Sequence, residues 1–147
     1  MITNIRYAGV MVDDLDEGLQ IWKDLFDLEP VNEINTNQYG VRAQMLGVGG
    51  RPFVEVMTPA GPETPIGRQM EERKNAKNPK GEGVYLIAIE VDDLEAALTH
   101  IESKGGTVIR SDGTASIAWV HPLSTKMVFV ELSQAGFEGV PGTRISS

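Results

Sequence analysis

The chain has 147 residues and contains two short patterns twice, an internal repeat that restricts the possible fold more than any other feature. Residues 12–15 read VDDL, and the same letters return 79 positions later at residues 91–94. Residues 53–56 read FVEV and return 76 positions later as FVEL at residues 129–132. Two motifs that recur in the same order and at nearly the same separation indicate two copies of one supersecondary unit.

Each copy is predicted to fold as a strand, a helix and three further strands. A β-branched run opens each copy, at residues 5–12 and 84–91, and is typical of a strand. The Asp-Asp pair that follows is suited to cap a helix, since a carboxylate accepts hydrogen bonds from first-turn amides. Apolar residues then recur at helical spacing, and glycines separate the later strand-like runs. The second strand of the first copy, within residues 28–34, has the weakest pattern.

The pattern predicts one domain, because a half of about 60 residues buries too little apolar surface to be comfortably stable alone. In the connection a short helix is predicted behind Pro65, over residues 66–77. The predicted parts are a single domain of residues 1–147, a first βαβββ module 5–59, a connecting segment 60–82, a second βαβββ module 83–133 and a C-terminal tail 134–147.

Composition excludes several classes of function. The chain has 21 Asp and Glu and 13 Lys and Arg, and the resulting net charge of −8 repels nucleic acid and anionic lipid. No cysteine is present, so a disulfide framework, a thiolate nucleophile and Cys-ligated zinc are excluded. The N-terminal sequence does not resemble a signal peptide, and no run approaches the roughly 20 apolar residues of a membrane helix. We therefore expect a cytoplasmic protein that binds neither nucleic acid nor a membrane.

Two glutamates occupy equivalent positions in the repeated FVE motif. Side chains alternate along a strand, so Glu55 lies on the opposite face from Val54 and Val56, and Glu131 repeats this arrangement. If the valines face the helix, both glutamates face a shared concavity. Two carboxylates in a poorly solvated pocket repel each other, and a bound cation or a retained proton relieves the repulsion. The pattern predicts an acid–base or metal-binding pair, and a solvated pair on an open sheet face is the alternative.

The motifs AGVMVDDLDEGL, LIAIEVDDLEAAL, FVEVMTP and WVHPLSTKMVFVELSQ resemble the vicinal oxygen chelate superfamily, which includes glyoxalase I and bleomycin-resistance proteins. The resemblance covers residues 5–133 and is strongest to the methylmalonyl-CoA epimerase branch, through VEVMTPAGPETPIGRQMEE and VHPLSTKMVFVEL. It implies an α+β fold in which two tandem βαβββ modules form a cupped, mainly antiparallel sheet. It also implies a small-molecule ligand and a homodimer.

The resemblance further implies a divalent metal, held by one residue from the first strand and one from the last strand of each module. The two carboxylate positions fall on Glu55 and Glu131, and the two histidine positions fall on Tyr7 and Leu86. Leucine has no donor atom, and a protonated phenol is a weak ligand. The oxygen ligands that remain suit Mg²⁺ or Mn²⁺ better than Zn²⁺, and the cofactor stays open between a divalent metal and none.

The epimerase branch uses a glutamate base at a position that is Ala43 here. A racemase needs a base near each face of the reacting carbon, so the resemblance does not carry methylmalonyl-CoA epimerase activity itself to this chain. An offset of 76 pairs Ala43 with Trp119 and Met45 with His121. His121 is a candidate proton carrier, because histidine titrates near neutral pH, and a histidine bonded to backbone is the alternative.

Two functions remain open from the sequence. The leading hypothesis is an isomerase or lyase that acts on a small carbonyl or thioester compound. The alternative is a non-catalytic small-molecule binding protein of the bleomycin-resistance type, favoured because Tyr7 and Leu86 make the cup more apolar. The catalytic candidates are Glu131, Glu55 and His121. The residues predicted to line a substrate pocket are Tyr7, Leu86, Ala43, Met45 and Trp119.

Overall fold

The structure is a computed structural model that describes residues 1–111 and 115–137. Its elements in chain order are β1 (Ile2–Met11), α1 (Leu15–Phe26), β2 (Glu29–Pro30), β3 (Asn35–Thr36), β4 (Val41–Val48), β5 (Arg51–Pro59), α2 (Pro65–Arg73), β6 (Gly83–Val91), α3 (Leu94–Ser103), β7 (Val108–Arg110), β8 (Ile117–Val120), a 3-10 turn (Pro122–Thr125) and β9 (Phe129–Gln134). Within these residues, none of the helices has the length and hydropathy needed to cross a membrane. Residues 138–147 of the predicted tail lie outside the described residues.

The element order agrees with the predicted strand, helix and strands of both copies, with two differences. The weak strand within residues 28–34 shrinks to the two residues of β2, and the short strand β3 follows it without having been predicted. Helix α2 begins at Pro65, one residue before the predicted start, and ends at Arg73, earlier than the predicted residue 77. After Arg73 the chain turns through Asn75 and Asn78, whose side chains accept backbone hydrogen bonds, and this turn replaces further helix.

The chain divides into two compact units. The first-half unit is Ala8–Tyr85, and the second-half unit is Met1–Tyr7 together with residues 86–137 of the described chain. Strand β1 therefore contributes its first residues to one unit and its last residues to the other. Residues 1–7 thus group with the second half of the chain.

The two units pair their strands in the same way. In the first-half unit, β5 lies between β4, to which it is antiparallel, and β1, to which it is parallel. In the second-half unit, β9 lies between the antiparallel β8 and the parallel β6. The short strands β2 and β3 pair with β4, and β7 pairs with β8, all antiparallel. This equivalence is the structural form of the sequence repeat.

The hairpin registers correct one prediction. Each central glutamate has one residue directly opposite on the antiparallel strand, Met45 opposite Glu55 and Trp119 opposite Glu131. Trp119 is therefore the counterpart of Met45, and the predicted pairings of Trp119 with Ala43 and of His121 with Met45 are wrong. The physical reason is loop length. The second hairpin contains the 3-10 turn Pro122–Thr125 and is two residues longer than the first, so the offset of 76 holds only for β5 and β9.

Helices α1 and α3 begin at the repeated Asp-Asp pairs, as predicted. An Oδ1 atom of Asp14 accepts from the Glu17 amide at 3.0 Å, and Oδ1 of Asp93 accepts from the Ala96 amide at 3.0 Å. Each cap satisfies one amide that has no partner within its helix, an interaction that contributes about 1 kcal/mol. The duplicated motif therefore performs the same local function in both units.

Each unit has its own apolar core between a helix and one sheet face. Residues of α1 pack against Val54 and Val56 in the first-half unit, and residues of α3 pack against Leu132 in the second-half unit. Since side chains alternate along a strand, Glu55 and Glu131 lie on the sheet faces that point away from these helices. The apolar residues of the FVE motifs face the helices as expected, and a pocket shared by the two glutamates stays a prediction.

Candidate functional site

Glu131 is a buried acidic residue at the centre of the second-half unit, with 2% of its surface exposed. Both oxygens of its carboxyl group accept hydrogen bonds from buried side chains. The hydroxyl of Tyr7 donates to Oε2 at 2.5 Å, and the indole Nε1–H of Trp119 donates to Oε1 at 3.0 Å. We call Glu131, Tyr7 and Trp119 the Glu131 cluster. A buried carboxyl that is bonded at both oxygens is held in one orientation.

The sheet positions the three side chains of the Glu131 cluster. Trp119 lies directly opposite Glu131 on the neighbouring strand β8, so the two side chains share a face. On the other side β6 lies between β9 and β1, and it places Ala88 beside Glu131. The Tyr7 side chain reaches Glu131 from β1, across the intervening strand β6.

Apolar groups surround the Glu131 cluster on the same face. The ring of Trp119 lies parallel to that of Phe129, with an interplanar angle of 4° and centroids 6.5 Å apart. Leu86, which is buried, is paired with Phe129 in the strand register. The predicted pocket residues Tyr7, Leu86 and Trp119 are thus brought together around Glu131. Phe129 was not predicted, although its alternation with Glu131 in the FVE motif places it on this face.

Burial raises the pKa of the Glu131 carboxyl above its ordinary value, because a dry environment disfavours the charged form. The hydrogen bonds from Tyr7 and Trp119 and the positive charge of Arg6 act in the opposite direction without cancelling this effect. Glu131 therefore keeps its proton to a higher pH than a solvated glutamate does. A carboxyl with this property is suited to proton exchange with a bound molecule.

Arg6, the neighbour of Tyr7 on β1, brings a positive charge close to β9. Its Nη1 donates to the hydroxyl of Ser133 at 3.3 Å, and Ser133 is itself buried two positions along β9 from Glu131. The Ser133 hydroxyl in turn donates to the Ile89 carbonyl at 3.4 Å. Arg6 and Ser133 were missed at the sequence level, because neither belongs to a repeated motif and their contact spans 127 positions.

Glu55 occupies the equivalent place in the first-half unit and is also buried, at 3% exposure. Its neighbours in the register are Gly9 on β1 and Met45 on β4. Ala43, two positions from Met45, is buried on the same strand face. The predicted residues Ala43 and Met45 therefore accompany Glu55 in the first-half unit, while Tyr7, Leu86 and Trp119 accompany Glu131 in the second.

His121 is half-buried at the end of β8. Its Nδ1 accepts a hydrogen bond from the Leu123 amide at 3.2 Å and caps the 3-10 turn. The alternative interpretation, a histidine bonded to the backbone, describes this contact, and a catalytic role for His121 stays a prediction.

The donor set of the second-half unit does not fit a divalent metal. Leu86 has no donor atom, the Trp119 N–H is only a hydrogen-bond donor, and the Tyr7 hydroxyl is bonded to Glu131. Within residues 1–111 and 115–137, no group of three or more His, Cys, Asp or Glu side chains is arranged to hold a metal ion. The side chains around Glu131 are therefore better suited to direct acid–base chemistry than to holding a metal ion.

The α+β arrangement of two equivalent strand–helix–strand units is the glyoxalase-like fold, which the chain shares with its structural neighbours. Residues 7–120 match the sequence model of the Glyoxalase/Bleomycin resistance protein/Dioxygenase superfamily, and the chain belongs to this superfamily. The resemblance inferred from the motifs is confirmed.

Similar proteins of this superfamily are methylmalonyl-CoA epimerases. The mitochondrial methylmalonyl-CoA epimerase of Dictyostelium discoideum is 26% identical over 140 residues, which cover 90% of this chain and 79% of that protein. The crystal structure of methylmalonyl-CoA epimerase from Mycobacterium tuberculosis is similar with a TM-score of 0.74 and 25% identity, over 90% of this chain and 88% of that one. A Streptomyces coelicolor methylmalonyl-CoA epimerase variant in complex with 2-nitronate-propionyl-CoA has a TM-score of 0.73 and 24% identity, over 92% and 99%. These similarities confirm the predicted glyoxalase-like fold.

Proposed function

We propose that the chain is an isomerase that moves a proton on a small carbonyl or thioester compound, with Glu131 as the group that accepts the proton. The observation that carries the proposal is the buried Glu131 carboxyl, bonded to the Tyr7 hydroxyl at 2.5 Å and with a raised pKa. The epimerase names of the relatives support the reaction class, and the CoA ester bound by the Streptomyces coelicolor protein supports a thioester.

The chemistry begins with the ionised carboxylate of Glu131. It removes a proton from the carbon next to the carbonyl, so that the C–H bond breaks, an O–H bond forms on Glu131, and the electron pair moves to the carbonyl oxygen. Each carboxylate oxygen has two acceptor positions, so the donors Tyr7 and Trp119 leave one free on each. The electron pair then moves back from the oxygen, and protonation at a different carbon or on the opposite face of the same carbon completes the isomerisation, whereas return of the proton to its original face regenerates the starting compound. Tyr7 can keep its bond to Glu131 throughout, because a hydroxyl both donates and accepts.

Glu55 and His121 are the other two residues to which we assign a role in proton transfer. Glu55, with Ala43 and Met45 on the same strand face of the first-half unit, is proposed as a second acid–base residue. His121 is proposed as a carrier that exchanges the proton with solvent. The substitutions Glu55→Gln and His121→Asn test the two roles separately, by whether each lowers turnover while the fold, measured by circular dichroism, is unchanged.

Proton exchange measured by NMR in D₂O tests the leading function. Methylmalonyl-CoA and a panel of other acyl-CoA thioesters serve as probes, and loss of the α-proton signal above the buffer rate is the expected result. Glu131→Gln should lower the rate about 100-fold or more, the usual contribution of a general base. The matched control is Glu95→Gln on α3, whose side chain is exposed. Equal rates for wild type and Glu131→Gln, or no exchange with any thioester, contradict the proposal.

The parallel rings of Trp119 and Phe129 favour a second candidate, a binding protein for flat apolar compounds. Tryptophan fluorescence tests it, and Trp22→Phe removes the signal of the other tryptophan. Saturable quenching by an aromatic compound that undergoes no turnover supports this candidate. Thioester turnover without such binding supports the isomerase.

We also propose a homodimer, on the basis of the resemblance to the superfamily. The dimer is checked by light scattering, with an expected mass of twice the 16.0 kDa of one chain. A mass equal to one chain at micromolar concentration contradicts it.

A further inference from the structure

The Glu131 cluster lies where the superfamily resemblance places metal ligands. Three of the four positions, Tyr7, Leu86 and Glu131, belong to the second-half unit. Only Glu131 keeps a side chain that commonly binds metals, and its carboxyl is already bonded to two protein donors. The chain therefore departs from the resemblance in its contacts as well as in its sequence.

A divalent cation at Glu131 would have to displace at least one of these donors. The indole N–H of Trp119 has no lone pair to offer a metal, and a phenol hydroxyl binds a divalent metal weakly while it keeps its proton. Tyr7 and Trp119 are 3% and 8% exposed, so each would also lose a buried hydrogen bond without access to water in exchange. Leu86 adds no ligand to offset either loss.

The positive charge that a metal would bring is supplied in part by the protein itself. The guanidinium of Arg6 interacts favourably with Glu131, and its bond to the buried Ser133 hydroxyl holds it near β9. A cation entering the cluster would therefore meet an arginine charge and a carboxyl whose oxygens already have donors. Both features disfavour its binding.

We propose that the Tyr7 hydroxyl takes the place of a metal ion beside Glu131, so that the cluster binds no divalent cation, and that Tyr7 and Leu86 are the residues that decide this. The proposal concerns the cofactor and goes beyond the isomerase function, since it holds whether or not a thioester is turned over.

Metal titration of the purified full chain tests the proposal. Calorimetry and Co²⁺ absorption should show no saturable binding of Mn²⁺ or Co²⁺ by the wild type up to roughly 1 mM. The double substitution Tyr7→His and Leu86→His supplies two nitrogen ligands next to Glu131 and should raise Co²⁺ affinity about 100-fold or more. Adding Glu131→Gln to the double variant should remove most of this gain.

The matched control is Tyr39→His with Ile87→His, which makes the same kinds of exchange at two exposed positions. It should bind Co²⁺ no better than the wild type. Stoichiometric metal binding by the wild type that is lost in Glu131→Gln overturns the proposal. A double variant that folds, by circular dichroism, but gains no site overturns the roles of Tyr7 and Leu86.

If the double variant does not fold, the titrations of Leu86→His and of the wild type still test whether Tyr7 excludes a divalent cation. The single variant keeps the Tyr7 hydroxyl on Glu131 and should gain no site, so strong Co²⁺ binding by it contradicts the claim that Tyr7 excludes the metal. None of these measurements depends on turnover, so failure of the isomerase proposal is distinguishable from failure of this one.

Discussion

Glu55 and Glu131 are equivalent in the sequence repeat, in the strand they occupy and in their burial, yet their neighbours differ. Glu131 lies opposite Trp119, whose N–H it accepts, whereas Glu55 lies opposite Met45, whose side chain has no hydrogen to donate. The duplication therefore preserved the backbone positions of the two carboxyl groups, while the side chains around each one diverged.

The largest change in the free energy of unfolding should come from Trp119→Met, which places opposite Glu131 the residue type that lies opposite Glu55. Trp119→Met removes the indole donor to Glu131 and the ring that lies parallel to Phe129. We expect a loss of about 3 kcal/mol in the free energy of unfolding, measured by urea denaturation. A loss below about 0.5 kcal/mol, the size of an ordinary surface substitution, would show that the difference between the two glutamates has no energetic weight.

Tyr7→Phe is a smaller change to the surroundings of Glu131. It keeps the ring and removes only the hydroxyl that donates to Glu131, so the free energy of unfolding should fall by about 1 to 3 kcal/mol. The exposed Tyr39→Phe is the control and should change it little. Because the Tyr7 bond lowers the pKa of Glu131, the pKa of that carboxyl should also rise in Tyr7→Phe. Titration followed by carboxyl NMR checks this direction, and a fall would contradict the assigned contact.

The pH dependence of stability should report Glu131. Its pKa in the folded protein is raised above the ordinary value of 4.5, so the folded state binds more protons than the unfolded state between these two pKa values. The stability contribution of Glu131 is therefore complete below pH 4.5 and is lost as the pH rises through the folded pKa. Glu131→Gln should remove this decline. If denaturation of wild type and variant gives parallel curves from pH 4 to 8, the pKa is not raised.

The smallest expected effect lies in the two hairpin turns. Gly49 and Gly50 have φ values of 59° and 76° in the first hairpin, and Lys126 and Met127 have 57° and 77° in the second. The second hairpin thus places side chains where glycine is preferred. Met127→Gly should raise the melting temperature, by a stabilisation of up to about 1 kcal/mol, and Gly50→Ala should lower it by a similar amount. A decrease in Met127→Gly would mean that the Met127 side chain contributes more than its backbone costs.

The prediction of the fold from sequence succeeded where local patterns decide. The capping contacts of Asp14 and Asp93 join residues three positions apart, and the opposite orientation of Glu55 and Val56 follows from strand alternation. Such features depend on helix and strand periodicity, which can be read from neighbouring letters. The strand pattern was weakest at the two-residue strand β2, because its sequence contains Pro30, which has no N–H to donate to a strand pairing.

Residues of the Glu131 cluster could be named from the sequence, whereas the contact of Trp119 with Glu131 could not, and a catalytic role for the cluster stays a prediction. Glu131, Tyr7, Leu86 and Trp119 were all named from the repeat and the resemblance. The role of Trp119 as a direct donor was missed, because the offset of 76 was carried across a hairpin that is two residues longer. Loop lengths differ between copies without any signal in the strands themselves, so strand register has to be observed.

The helix caps and the strand faces of the two glutamates follow from the amino-acid sequence, because each depends on residues within a few positions of one another, and the repeat is visible when the two halves of the sequence are compared. The contacts of Glu131 with Tyr7, 124 positions away, and with Trp119 are set by tertiary structure. Those contacts arise from the order and register of strands β1, β6, β9 and β8, which join distant segments. Strand pairing is non-local, and it is the reason that two carboxyl groups equivalent in sequence acquired different surroundings.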